Sequence, residues 1–134
     1  MLLLSGPVGT GKTVLAGGIL AGLCVPGPHP SPTFTIVRAY RGRLPAAHVD
    51  LYRLDGGIDA EGIGLDDILR EDGVAIVEWA ERLGALAPVD ALRLRLARLG
   101  ASDEREIELV PGGPAADRLL ALVRHPDASG GGQR

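Results

Sequence analysis

One short stretch of this chain constrains its fold more than any other feature. Residues 6–13, with the sequence GPVGTGKT, match the pattern G-x-x-x-x-G-K-[ST] of a phosphate-binding P-loop. An apolar run at 2–5 precedes the stretch, and apolar side chains at spacings of three and four follow it, which predicts a strand before the loop and a helix after it. This order predicts an α/β fold whose ligand lies at the carboxyl ends of the strands.

The P-loop contains Lys12, the only lysine of the chain, whereas the other basic residues are all arginines. A lysine places a compact point charge beside the β- and γ-phosphates of a nucleotide. A chance match in a glycine-rich chain is the alternative, but it does not explain why the one lysine falls between an apolar strand and a helix. We therefore predict a nucleoside triphosphate site in which Thr13 offers its hydroxyl to Mg²⁺. The predicted nucleotide-binding residues are Gly6, Val8, Gly9, Thr10, Gly11, Lys12, Thr13 and Val14.

Two acids compete for the roles of metal ligand and water-orienting group. Asp50 and Glu78 each end an apolar run that predicts a strand. Either carboxylate could close a strand beside the P-loop and bind Mg²⁺ directly or through water. The spacing leaves open which of them contacts the metal, and a surface carboxylate at a strand end is the alternative for each.

Other polar residues accompany these acids in the sequence. His48, Asp50 and Tyr52 lie on one side of the predicted strand because side chains alternate along it, which indicates either a site or a sheet edge that faces water. A loop rich in hydroxyl groups, about 20 residues after the lysine, indicates either a switch-like loop that senses the γ-phosphate or an ordinary turn. Its residues are Ser31, Thr33 and Thr35. Arg53 and the only tryptophan, Trp79, are candidates for contact with the site or with a partner, and a core position is a further alternative for Trp79.

The pattern of apolar and polar residues along the rest of the chain predicts a single domain over residues 1–125. The Gly/Ser-rich residues 126–134 predict a disordered tail. We expect a P-loop NTPase-like sheet with flanking helices in a three-layer arrangement. The predicted strands lie at 34–41, 46–51, 74–77, 91–99 and 106–110, and further helices lie at 59–69 and 115–124.

Composition and charge exclude several classes of protein. A formal net charge of −3 argues against a stand-alone nucleic-acid-binding protein, which usually has a basic face. The single cysteine excludes an internal disulfide. No apolar run approaches the roughly 20 residues that cross a bilayer, and no targeting segment is evident, so we expect a cytoplasmic protein without membrane contact.

Four motifs occur in a defined order along the chain. They are residues 6–13, 31–35 (SPTFT), 48–54 (HVDLYRL) and the pair Glu78-Trp79. In this order they resemble the TsaE (YjeE) family, small P-loop ATPases required to form N6-threonylcarbamoyladenosine (t6A37) in ANN-decoding tRNAs. Family members usually have a strand, a helix and a turn before the P-loop. The sequence here begins almost on the P-loop strand, so we expect the fold to lack that segment, and a start further upstream is the alternative.

The resemblance implies a Mg²⁺-dependent ATPase that works with the TsaB–TsaD pair, and tRNA is then bound mainly through those partners. It implies that Lys12, Asp50 and Glu78 are catalytic and that Thr13, Asp50 and Glu78 form the metal site. Asp50 then corresponds to the Walker B acid, and Glu78 to a water-orienting or metal-associated acid.

Two other functions fit a P-loop of this kind. A small-molecule kinase would need an acceptor pocket and an arginine-rich lid, whereas the arginines at 93–98 follow the alternation of a strand. A non-hydrolysing assembly factor would use ATP only to gate the binding of a partner. A GTPase with the usual N-K-x-D motif is excluded, because the chain has no lysine outside the P-loop.

Overall fold

The computed structural model describes residues 1–54, 64, 67–68 and 72–129. The strands are β1 (Leu2–Ser5), β2 (Val37–Arg41), β3 (Pro45–Asp50), β4 (Val74–Glu78), β5 (Leu92–Arg98) and β6 (Arg105–Pro111). The α-helices are α1 (Lys12–Gly22) and α2 (Pro114–Arg124), and short 3-10 helices occur at Ala80–Leu86 and Pro126–Ser129.

The six strands of the described residues form one mixed sheet in the order β2-β3-β4-β1-β5-β6. The inner strands β3, β4, β1 and β5 are parallel, and β2 and β6 are antiparallel to their neighbours at the two edges. Glu78 of β4 lies opposite Asp50 of the neighbouring strand β3 and opposite Leu4 of β1, its other neighbour. The carboxyl ends of β3, β4 and β1 therefore lie side by side, directly beneath the loop that follows β1.

Helical segments cover both faces of the sheet, as predicted for a three-layer α/β fold. On one face, Ala16 and Leu20 of α1 and Leu120 of α2 pack against the inner strands. On the other face, Ala80 and Leu83 of the 3-10 helix pack on a second apolar cluster. The buried run of β4 lies between these two layers, which explains why its sequence is apolar at consecutive positions.

The structure confirms most of the predicted elements and corrects one boundary. The sequence predicts a strand at 34–41, but β2 begins only at Val37, because residues 33–35 form a turn and Ile36 has a left-handed backbone with φ of 65°. Within the predicted tail at 126–134, Pro126–Ser129 forms a 3-10 helix, and 130–134 lie outside the described residues. The helix predicted at 59–69 also lies almost entirely outside them.

No helix in the described part of the chain is both long and apolar enough to cross a membrane. The longest α-helices there have 11 residues each, about half of what a bilayer requires.

The start of α2 is capped by a carboxylate from elsewhere in the chain. Gly113 precedes the helix and offers no side chain, while Pro114 occupies the first turn. Asp90, in the segment before β5, accepts hydrogen bonds from the backbone N–H groups of Ala115 at 3.0 Å and Ala116 at 2.9 Å. These two hydrogen bonds lower the pKa of Asp90 below its ordinary value of 3.8.

We expect Asp90→Ala to lower the melting temperature near neutral pH, because the first turn of α2 loses both acceptors. The folded-state pKa lies below 3.8, so the stabilisation is complete above that pH and is lost as the pH falls through the folded value. Circular dichroism melts of both proteins should therefore differ at neutral pH and converge in strong acid. Asp103→Ala, in the exposed turn between β5 and β6, is the matched control. Equal melting temperatures for the two variants at neutral pH would contradict the capping role.

Candidate nucleotide-binding site

The P-loop connects the central strand β1 to α1, and its glycines are required by the backbone. Gly11 directly precedes α1 with φ of 97°, in the left-handed region that favours glycine. Gly6 has φ of 141°, and a Cβ atom there would lie 2.3 Å from the backbone oxygen of Leu96. The loop can therefore turn closely over β5 and direct the amino end of α1, which carries a partial positive charge, toward a ligand.

Lys12 is buried within the loop. Its Nζ donates to the backbone oxygens of Gly6 at 2.5 Å and Pro7 at 2.9 Å, and lies 4.0 Å from the centre of the Trp79 ring. Burial lowers the pKa of Lys12 below its ordinary value. The negative charges of Glu81, Glu78 and Asp50 raise this pKa but do not fully offset the effect of burial. An anionic phosphate beside Nζ would add to the effect of those carboxylates, so the site favours an anionic ligand.

A cleft of about 470 Å³ opens beside the lysine, which is within the usual size range of small-molecule sites. Its walls come from the P-loop, α1, the loop before β2 and the ends of β3 and β4. The lining residues are Val8, Gly9, Gly11, Lys12, Thr13, Val14, Ser31, Thr33, Asp50, Tyr52, Glu78 and Trp79.

Glu78 is joined to the P-loop helix by a hydrogen bond. The hydroxyl of Thr13, in the first turn of α1, donates to Oε2 of Glu78 at 3.0 Å. The other carboxylate oxygen, Oε1, lies 2.7 Å from Nε2 of His48, and both side chains are buried. The acid at the end of β4 is therefore the one that lies against the hydroxyl predicted to bind the metal.

Asp50 instead holds the loop before β2. Its Oδ2 accepts hydrogen bonds from the hydroxyls of Ser31 at 2.5 Å and Thr33 at 3.0 Å, and its Oδ1 accepts one from the backbone N–H of Tyr52 at 2.9 Å. The two acids, which the sequence could not distinguish, thus have different partners in this structure.

Most of the predicted site residues meet at this cleft, but several do not line it. Thr10 is buried and donates to the oxygen of Pro7 at 2.8 Å, and His48 lies beneath the floor. Thr35 is exposed and does not contribute to the cleft wall. The guanidinium of Arg53 stacks over Phe34 at 4.2 Å, so this pair lies beside the cleft.

Sequence reasoning missed one arginine near the P-loop. Two guanidinium nitrogens of Arg98, Nε and Nη2, each donate a hydrogen bond to the backbone oxygen of Gly9 at 3.3 Å. The sequence contained a signal for this contact, because alternate residues of a strand share a face. Arg98 therefore lies on the same face of β5 as the buried Leu94 and Leu96, which is the face that α1 covers.

The donor set at the cleft fits Mg²⁺, which prefers oxygen ligands. The hydroxyl of Thr13 and the carboxylates of Glu78 and Asp50 are hard oxygen donors on its wall. Among the described residues, no group of three or more His, Cys, Asp or Glu side chains is arranged to hold a metal. Mg²⁺ is usually bound through one or two protein carboxylates and substrate phosphates, rather than in a cage built only of side chains.

Comparison with known proteins identifies relatives over most of the chain. The sequence model of the family described as "Threonylcarbamoyl adenosine biosynthesis protein TsaE" matches residues 1–107. The tRNA threonylcarbamoyladenosine biosynthesis protein TsaE of Bacillus subtilis is 37% identical over 131 residues, which is 96% of this chain and 81% of that protein. The protein of the same name from Streptomyces coelicolor is 44% identical over 102 residues, or 73% of this chain and 68% of the relative.

A solved structure shows the same architecture. The crystal structure of YdiB from Bacillus subtilis superposes with a TM-score of 0.78 at 35% sequence identity, and the match covers 93% of this chain and 77% of that one. Together with the family match over residues 1–107, this similarity shows that the chain belongs to the TsaE family.

Proposed function

We propose that this protein is a Mg²⁺-dependent ATPase that supports the formation of threonylcarbamoyladenosine in tRNA. The observation that carries the proposal is the hydrogen bond between Thr13 and Glu78, beside the buried Lys12, in an open cleft. This arrangement joins a phosphate-binding lysine, a metal-binding hydroxyl and an acid in one place. The names of the relatives supply the pathway, since they are called tRNA threonylcarbamoyladenosine biosynthesis proteins.

The chain itself provides the binding and orientation of the nucleotide. The amino end of α1 and the backbone of the P-loop receive the phosphates, as the α-helix dipole and free N–H groups favour an anion there. The Nζ atom of Lys12 stabilises negative charge on the β- and γ-phosphates. Val8 and Val14 lie on the cleft wall and are largely exposed, so they are free to contact the rest of the nucleotide.

Thr13 and Glu78 would hold the metal, with Asp50 as the other acid on the cleft wall. When bound, Mg²⁺ neutralises charge on the phosphates. Each oxygen of a carboxylate has two acceptor positions, so Glu78 can bind a water molecule in addition to its present donors. We assign to Glu78 the orientation of the attacking water and to Asp50 the attachment of the switch-like loop through Ser31 and Thr33.

The proposed partners are the TsaB–TsaD pair, with tRNA bound mainly by those proteins. The net charge of −3 agrees with this division, because a protein that bound tRNA alone would need a basic surface. We place the reaction in the cytoplasm, where tRNA is modified.

Hydrolysis of Mg²⁺-ATP, measured with the chain alone and with a TsaB–TsaD pair, tests the proposal. We expect turnover that the partners stimulate, together with repeated cycles of threonylcarbamoyladenosine formation on an ANN-decoding tRNA. Binding of ATP without turnover in either condition would instead favour a non-hydrolysing assembly factor. Transfer of phosphate to a small molecule, with no effect on tRNA, would favour a kinase.

A further inference from the structure

One buried polar side chain beneath the cleft has no role in the function proposed above. His48 on β3 has no exposed surface, and its Nε2 lies 2.7 Å from Oε1 of Glu78. Its other ring nitrogen, Nδ1, is also buried and has no hydrogen-bond partner among the described residues. The carboxylate of Glu78 is therefore the one polar partner that the structure shows for this imidazole.

The sheet register explains why the two side chains meet. His48 pairs with Ile76 of β4, and Glu78 follows two residues later on the same face of that strand. This is the face that α1 covers, where Ile76 packs with Ala16 and Leu20. The imidazole thus lies in the apolar layer beneath α1, and its polar edge points toward the carboxyl end of the sheet, where the cleft opens.

The energetics of burial make this hydrogen bond important for Glu78. A buried carboxylate is costly unless each oxygen has a donor. Thr13 supplies the donor for Oε2 and His48 supplies it for Oε1. Because an ionised carboxylate only accepts hydrogen bonds, Nε2 of His48 is the donor in this contact. Without it, Oε1 would lack a donor, and the carboxylate could rotate away from Thr13 to reach water.

We infer that His48 is a positioning residue that fixes the carboxylate of Glu78 in the orientation required for Mg²⁺-ATP turnover. The inference rests on the proposed ATPase function. His48 does not touch the cleft and acts only through Glu78. Side chains that orient metal-associated carboxylates in this way typically change metal affinity or activity by about 10- to 100-fold when they are removed.

Two substitutions separate positioning from simple filling of the core. His48→Leu introduces an apolar side chain of similar volume that has no hydrogen-bond donor. His48→Gln instead places an amide N–H near the position of Nε2. We expect His48→Leu to lower kcat for ATP hydrolysis by about 10- to 100-fold and to raise the Mg²⁺ concentration needed for tight ATP binding. Affinity for ATP in EDTA, measured by calorimetry, should be unchanged. His48→Gln should recover part of both losses, and His125→Leu at the end of α2 is the control.

A double-mutant cycle provides the decisive comparison. If His48 acts through Glu78, adding His48→Leu to Glu78→Gln should not lower kcat beyond the value of Glu78→Gln alone. The double variant also lacks the buried charge of Glu78, which His48→Leu alone leaves without its second donor. It should therefore fold even where His48→Leu alone does not.

Unchanged kcat and Mg²⁺ dependence in His48→Leu, with only an altered melting temperature, would overturn the inference, as would additive losses in the cycle. Absence of turnover in the wild type would instead count against the ATPase proposal, and the Mg²⁺ dependence of ATP binding would still test His48.

Discussion

Lys12→Ala should reduce kcat/KM for Mg²⁺-ATP hydrolysis by at least about 100-fold, because it removes a preorganised positive charge from the phosphate site. The chain has no other lysine that could replace it. The fold should persist, since the charged form of Lys12 is disfavoured by its burial and alanine is a good helix former at this position. Hydrolysis and ATP affinity should be measured together, with circular dichroism as the check on folding.

Arg124→Ala is the matched control for Lys12→Ala, as it removes one positive charge from the exposed end of α2. It should leave hydrolysis unchanged. The P-loop assignment would be wrong if Lys12→Ala hydrolysed ATP at the wild-type rate, or if both variants lost activity to the same extent.

The second large effect is expected from Glu78→Gln. This change retains the shape of the side chain but removes its charge, so it should slow the chemical step by roughly 100- to 10,000-fold. Binding of ATP should remain at saturating Mg²⁺, since Lys12 and the P-loop are intact. Single-turnover hydrolysis and calorimetric binding of ATP distinguish the two effects, because only the first reports the chemical step.

Glu106→Gln, on the exposed face of β6, removes an equivalent charge outside the cleft and should have no effect on turnover. Loss of ATP binding in Glu78→Gln with normal turnover of the remaining complex would argue that Glu78 serves binding only. Normal turnover would exclude Glu78 from the mechanism and leave Asp50 as the acid to test.

Local sequence was sufficient to predict the part of the site that is local in the chain. The strand, loop and helix at 2–22 follow from adjacent apolar runs and from glycines whose backbone conformations other residues rarely adopt. The neighbouring positions of Asp50 and Glu78 were also predictable, because each ends a strand and parallel strands share one carboxyl edge.

The sequence did not predict which hydrogen-bond partners Asp50 and Glu78 would each have. It depends on which strand lies next to β1, and the structure places β4 there, so Thr13 reaches Glu78 while Asp50 meets Ser31 and Thr33. The late start of β2 depends on a left-handed Ile36, whose backbone accepts a hydrogen bond from the N–H of Asp50 at 2.8 Å. A β-branched residue gives no local signal for that conformation.

The bond from Thr13 to Glu78 spans 65 positions of the chain, and the contact of Arg98 with Gly9 spans 89. Neither can form in a fragment that contains only the P-loop and its helix. The complete cleft therefore requires the folded central sheet. A nucleotide that binds only to the complete cleft stabilises the native state as a whole rather than one loop.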